Sequence, residues 1–171
     1  MRAKAATGAR AAAAGASALE GKKAPDFELP AGGGASVALH DLIGARNLVL
    51  YFYPRDMTPG CTAEACSFRD NLGEVRTMGA EVAGVSADSP ASHAKFRDKY
   101  GLNFTLLSDT GNKVGQRYGV YKMKSLYGRN FMGIERTTFV IDRSGVIRKV
   151  FPKVKVAGHT DEVIDVLRQL G

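Results

Sequence analysis

Residues 47 to 54 read NLVLYFYP, eight positions with hardly a polar group, and after Arg55-Asp56-Met57 the chain passes into TPGCTAEACSFRDNLGEVRTMG. A short, aromatic-rich apolar run closed by proline is the mark of a strand buried on both faces. In the segment after it, Thr58 is a candidate N-cap, Pro59 suits a first helical turn, and Ala65, Phe68, Leu72 and Val75 recur at helical spacing until Gly79. A strand buried on both faces needs cover on both sides. The chain supplies it by repeating the strand-helix unit. AEVAGVSA reads as a second buried strand, SPASHAKFRDKYG as a helix opened by Ser-Pro and closed by Gly101, and FTLLSD as a third strand. GNKVGQRYGV makes a short helix, RTTFVIDRSGVIRKVF a hairpin turning at Arg143-Ser144-Gly145, and HTDEVIDVLRQL an amphipathic helix with Thr160 as its cap. Upstream, APDFEL and SVALHDL are short extended candidates around PAGGGA. The order predicts an α/β fold, with parallel strands joined by crossover helices and an antiparallel hairpin at one edge. In such sheets the functional site lies where a strand feeds a helix N-terminus.

Size and charge narrow the function classes. A chain of 171 residues is expected to fold as one domain, over residues 22–171, preceded by an Ala/Arg-rich extension over 1–21. The first twenty residues hold ten alanines, three basic residues and no acid before Glu20. They read as a solubilising extension; an organelle-targeting presequence is the other reading of that composition. No apolar run approaches the ~20 residues that cross a bilayer, so no membrane association is expected. The formal charge is +7, but Arg2, Lys4, Arg10, Lys22 and Lys23 against Glu20 place more than half of the excess in the first 23 residues. The rest is too spread out for a basic groove, and no specific nucleic-acid partner is expected. Without a secretory signal pattern, a reducing, cytoplasmic compartment is expected.

The only two cysteines, Cys61 and Cys66, lie in the first half of the helix that follows the strongest strand. Cys61 falls in the first turn, where unpaired backbone N–H groups and the helix dipole favour an anion, so a thiolate is expected there at neutral pH. Gly60 leaves room beside it for a substrate. Cys66, five residues on, is rotated by roughly 140° and raised about 7.5 Å, which puts the two Cα atoms about 8.7 Å apart in an intact helix. A disulfide needs Cα atoms within about 7 Å. Either Cys66 is structural, or the chemistry includes local unwinding of the helix. A zinc site would need ligands from His40, His93 and His159, none of them paired at ligand spacing, so no metal is expected. A thioredoxin-type reductase would use Cys-x-x-Cys, and the spacing here is longer.

The segment YPRDMTPGCTAEACSFRD resembles the active-site segment of the peroxiredoxins, and its Cys-x4-Cys form resembles the peroxiredoxin Q group, also called bacterioferritin comigratory proteins. The similarity runs from KAPDFELP through VAGVSADSPASHAKFRDKYGLNFTLLSD to GIERTTFVIDRSGVIRKVF. Pro54, Thr58 and Cys61 fit the family's Pro-x-x-x-Thr-x-x-Cys, and Arg136 fits the arginine before its Thr-Phe strand. Residues 122–133 match the family's variable loop. The resemblance implies a thioredoxin-like fold, a central mixed β-sheet flanked by helices, here with an N-terminal extension.

The resemblance further implies a cofactor-free thiol peroxidase acting on hydrogen peroxide and organic hydroperoxides. Cys61 would be the peroxidatic cysteine, oxidised to a sulfenic acid, and Cys66 the resolving cysteine, closing an intramolecular disulfide that thioredoxin or a similar dithiol protein reduces. Arg136, a fixed cation with a planar fork, would stabilise the thiolate and hold the peroxide. Thr58 would present its hydroxyl, Pro54 would end the strand and shield the pocket, and Glu64 matches the group's pattern between the thiols. With both thiols in one chain, a monomer suffices. A protein disulfide oxidoreductase on the same fold is the alternative enzyme. A basic, non-enzymatic binding protein is the alternative outside enzymes.

Overall fold

The computed structural model describes residues 15–171, so the Ala/Arg-rich residues 1–14 lie outside the described residues. The packed chain begins before Lys22, the boundary expected from composition. A 3-10 turn at Ala16–Leu19 buries Ala16 and Leu19 in the same core as Leu48, Leu50 and Ile147. Gly21 N–H donates to the Ile147 carbonyl and Ile147 N–H to that of Lys22. Small apolar side chains in an alanine-rich stretch fit close against the domain, and at Gly119 a Cβ would come within 2.8 Å of the Gly15 backbone. Composition suggested an extension; packing makes its last residues part of the domain.

Strands β1 (Glu28–Pro30) and β2 (Ser36–Ala38) pair antiparallel across the glycine-rich turn, and α1 (Leu39–Leu42) follows. Next come β3 (Asn47–Phe52), α2 (Pro59–Thr77), β4 (Ala80–Ser86), α3 (Pro90–Tyr100), β5 (Thr105–Ser108) and the short α4 (Lys113–Arg117). A hairpin, β6 (Tyr121–Leu126) and β7 (Arg129–Ile134), precedes β8 (Thr137–Ile141), β9 (Ile147–Phe151) and α5 (His159–Leu170). The five-stranded central sheet has the order β5-β4-β3-β8-β9. Its β5, β4 and β3 are parallel, and β8 and β9 are antiparallel additions, as the sequence order predicts.

All six residues of β3 are buried. Leu48, Leu50 and Phe52 face one core with Phe139 and Ile141; Val49, Tyr51 and Tyr53 face the other with Phe68, Leu72 and Val75 of α2, Phe96 of α3 and Leu167 of α5. Period-two alternation thus feeds two apolar layers, and α2 is pinned by its 65, 68, 72, 75 stripe.

Two local expectations change. The loop over 122–133 is largely the β6–β7 hairpin, closed by Tyr127 (φ 51°) and Gly128 (φ 75°), consecutive left-handed residues of the kind a two-residue hairpin turn needs. Thr160 does not cap the last helix: Gly158 (φ 75°) is the N-cap, and the Thr160 hydroxyl turns inward to Ser67 of α2, 2.6 Å away.

Candidate active site

The chain leaves β3 through Tyr53, whose N–H donates to the Val85 carbonyl, and turns over residues 54–58 into α2. Met57 sits at φ 67°, a conformation non-glycine residues adopt only where the surroundings impose it. Thr58 is the N-cap residue, as expected, but its side chain does not cap. The Oγ1 hydroxyl donates back to the Arg55 carbonyl at 2.9 Å, tightening the turn and leaving the first-turn N–H groups without a side-chain acceptor. Pro54 is exposed where the strand has just ended. Cys61 is the third residue of the helix, 1% exposed, and Cys66 is half-buried further along the same unbroken helix. Both are free thiols.

Arg136 reaches this turn because of strand register. In the antiparallel β3–β8 pair, Phe52 lies opposite Thr137, so the residue before Thr137 falls beside the residues that leave β3. Arg136 is further held by its own carbonyl, which accepts from Val154 N–H at 2.9 Å. Its guanidinium forks: Nη2 donates to Cys61 Sγ at 3.3 Å and Nη1 to Glu64 Oε1 at 2.8 Å. Burial pulls the Arg136 pKa down, but the charges on Glu64 and Cys61 more than offset it and leave the guanidinium above its ordinary value. The space at Gly60, expected to admit substrate, is filled by this fork; a Cβ there would lie 3.1 Å from Nη2.

Glu64 is 1% exposed. Its Oε1 takes the Arg136 bond, while Oε2 is buried and has no hydrogen-bond partner among the described residues. Burial pushes the carboxyl up to about 7, against the pull of Arg136. Tyr51, stacked on Phe68, also has a buried hydroxyl without a partner among the described residues and is pushed well up by burial, then by Glu64 and Cys61. Lys124 of β6 is pushed down, by burial and then by Arg136. The structure therefore gathers Cys61, Arg136 and Glu64 into one bonded group; Thr58 is the N-cap residue of the same helix, Cys66 lies five residues beyond Cys61 along it, and Pro54 follows β3 at the exposed start of the turn.

Behind the turn lies a network that sequence inspection passed over, having weighed His93 only as a metal ligand. Asp56 accepts from Tyr53 Oη at 2.6 Å and Ser92 Oγ at 2.8 Å, and lies 2.8 Å from His93 Nδ1. His93 is fully buried and its Nε2 donates to the Leu107 carbonyl at 3.0 Å. The Asp56 N–H and Ser86 Oγ both donate to Asp88 Oδ2. Asp56, Asp88 and His93 stand close enough to share an ion, but the Asp56 oxygens, Asp88 Oδ2 and both His93 nitrogens already have hydrogen-bond partners, so the cluster is a hydrogen-bonded clamp on the 53–58 turn. Burial alone raises the Asp56 carboxyl; the bonds from His93 and Tyr53 outweigh it and hold the group below its ordinary value. The tell in the sequence was the pairing of Tyr53 with Asp56 around Pro54, legible only once α3 is laid against it.

The chain is similar to known proteins over most of its length. Residues 20–150 match the model of the AhpC/TSA family. The chain is 52% identical over 144 residues to the putative peroxiredoxin bcp of Coxiella burnetii, covering 84% of this chain and 95% of that one. It is 46% identical over 150 residues to the peroxiredoxin Bcp of Bacillus subtilis, covering 88% and 95%. Among solved structures, peroxiredoxin Q of Xanthomonas campestris superposes with a TM-score of 0.79 at 41% identity, over 84% of this chain and 90% of that one. The bacterioferritin comigratory protein of that organism, similar at 40% identity and the same TM-score and coverage, is described with alkyl peroxide reduction activity. These neighbours carry the thioredoxin-like fold that the sequence resemblance implied. With residues 20–150 matching the family model and relatives at about half identity over most of both chains, the chain belongs to the AhpC/TSA family as a peroxiredoxin of the bacterioferritin comigratory protein and peroxiredoxin Q kind, a thiol peroxidase.

Proposed function

We propose that this thiol peroxidase uses Cys61 as its peroxidatic cysteine and Cys66 as its resolving cysteine, takes hydrogen peroxide and organic hydroperoxides, and is recycled by thioredoxin or a similar dithiol protein. The observation that carries it is the Arg136 fork bonded at once to Cys61 Sγ and, through Glu64, to the same helical turn. A cation fixed on the sheet favours the thiolate and offers donors to the oxygens of a peroxide that replaces them. The thiolate attacks one peroxide oxygen, the O–O bond breaks, and Cys61 becomes a sulfenic acid while water or an alcohol leaves. The alkyl peroxide activity of the Xanthomonas campestris relative favours organic substrates here too.

Cys66 then attacks the sulfenic sulfur, giving a disulfide and water. Both thiols lie on one continuous helix, at a separation of about 8.7 Å between Cα atoms for ideal geometry, so closure requires the first turns of α2 to unwind. With the two thiols on one helix, a monomer working in a reducing cytoplasm suffices.

The test is intact mass before and after one equivalent of peroxide. A loss of two hydrogens without an intermolecular link supports an internal Cys61–Cys66 disulfide; a stable gain of oxygen removes Cys66 as resolving residue. Peroxide consumption retained in Cys61→Ser removes Cys61. Thioredoxin with its reductase and NADPH, supplied as the electron source, tests the reductant by steady NADPH oxidation.

A further inference from the structure

The bonded group at the start of α2 contains one fixed cation and two acids. Arg136 meets Cys61 through Nη2 and Glu64 through Nη1, and the two acids are each 1% exposed. A thiolate and a carboxylate together would leave one buried negative charge uncompensated, a costly state in a low-dielectric site. One proton shared between them removes that excess. Glu64 has the atom to carry it: Oε1 is committed to Arg136, while Oε2 is buried without a partner among the described residues and so has no donor there to lose on protonation.

We infer that Glu64 takes the proton that Cys61 releases on becoming a thiolate, and gives it to the departing oxygen when the peroxide is cleaved. The inference rests on the peroxidatic role proposed for Cys61. In the first step the Cys61 thiol and Glu64 carboxylate become a thiolate and a carboxylic acid, with no change in the charge around Arg136. In the second, thiolate sulfur bonds to the terminal oxygen of the hydroperoxide, the O–O bond breaks, and sulfur loses two electrons to the departing alkoxide oxygen. The Glu64 proton goes to that oxygen. The products are the Cys61 sulfenic acid, an alcohol and a Glu64 carboxylate paired with Arg136 alone. Protons and charge balance, and no further reactant is needed.

The neighbouring charges are compatible with this assignment. Cys61 faces Glu64 from its own helix and Arg136 from the start of β8. Tyr51 of β3 is pushed well above its ordinary range, first by burial, and so stays neutral. Lys124 of β6 senses Arg136 and Cys61 and makes no bond to the open Oε2. His159 of α5 is pushed down by burial and feels this site only through Arg136. The Glu64 carboxyl itself is pushed by burial up to about 7, where it can both hold and release a proton near neutral pH.

The test exploits the leaving group. An alkyl hydroperoxide expels a basic alkoxide that needs a proton, whereas a peroxycarboxylic acid expels a carboxylate that does not. Oxidation of reduced full-length protein is followed by quenched-flow mass spectrometry with tert-butyl hydroperoxide and with peracetic acid. Glu64→Gln keeps an acceptor for Arg136 but cannot supply the proton. It is expected to slow the alkyl hydroperoxide reaction about 100-fold more than the peracetic acid reaction, any slowing common to the two reporting the lost acceptor for the Cys61 proton. Equal slowing with both oxidants would overturn the delivery of the Glu64 proton to the departing oxygen, and no slowing with either would overturn the proton role altogether. The unaltered protein gives a second readout. Infrared difference spectra should show a protonated carboxyl band that disappears when Cys61 is oxidised, and persistence of that band counts against the assignment. If the unaltered protein is not oxidised at Cys61 at all, the peroxidatic reading fails; unequal or equal rates in the variant bear only on Glu64.

Discussion

The hydroxyls of Ser67 and Thr160 lie 2.6 Å apart, tying α2 to α5 one residue beyond Cys66. Below that tie α2 is fixed by Phe68, Leu72 and Val75 in the core; above it, it is held by the Arg136 fork and by the small buried side chains of Cys61 and Ala65. Unwinding is expected to stop at Ser67. Hydrogen exchange after oxidation should rise over residues 59–66 and stay slow over 67–77. Ser67→Ala should move that boundary towards Phe68 and, by leaving the buried Thr160 hydroxyl alone, cost about 1–2 kcal/mol in urea unfolding.

Gly60→Ala separates activity from stability. Alanine is the better helix former, by about 0.8–1.0 kcal/mol in a helix interior, but its Cβ would press on Arg136 Nη2 at 3.1 Å. Peroxide turnover should fall while the melting temperature holds or rises. A variant as active as the parent would show that the fork has slack.

Arg136→Lys keeps a charge but cannot bridge sulfur and carboxylate at once. Turnover with hydrogen peroxide should fall by about 100-fold or more, the scale of losing one fixed donor to a developing charge. Steady-state rates at saturating reductant measure it.

Glu64 should leave a signature in stability against pH. Its folded value is raised from 4.5 to about 7, so between those values the folded protein binds the proton more tightly than the unfolded chain does. Its contribution is therefore present below pH 4.5 and is lost as pH rises through 7, a decline of about 3 kcal/mol. In a Cys61→Ser background, which leaves Glu64 as the one acid bonded to Arg136, denaturation between pH 4.5 and 8 should show that decline. Glu64→Gln should abolish it.

The clamp behind the turn should be structural in its effect. His93→Ala leaves the Asp56 carboxylate and the Leu107 carbonyl without their buried partner, and a loss of about 3–5 kcal/mol in urea unfolding is expected. Asp56→Asn, which keeps the shape and a carbonyl acceptor, should lose less.

The helical position of Cys61 was legible because Pro59 and the 65, 68, 72, 75 stripe fix helix and face in one stretch of chain. Arg136 was found through resemblance alone, since its closeness to Cys61 depends on β8 pairing in register with β3 across some eighty residues of chain. The Asp56–His93 pair was missed for the same reason: it joins a turn to a helix packed against it, and periodicity reports which face is buried without naming the polar group opposite. The hairpin over residues 121–134 escaped because its exposed strands show no clean alternation, and only the Tyr127-Gly128 turn marked it. Composition described the first residues as a tail, yet the close fit of Ala16 and Leu19 depends on a surface built elsewhere.

The division of the site between sheet and helix sets how it resets. Arg136 is placed by the β3–β8 ladder and by Val154, none of which lies on α2, so it stays in position whether the cysteine turn is wound or not. Each return to the reduced state is then the refolding of two turns onto a standing template, with α2 beyond Ser67 as the primer that spares nucleation. Helix elongation takes about nanoseconds per residue. Recovery of the starting geometry should therefore add no measurable delay between cycles, and the pace is left to the arrival of oxidant and reductant.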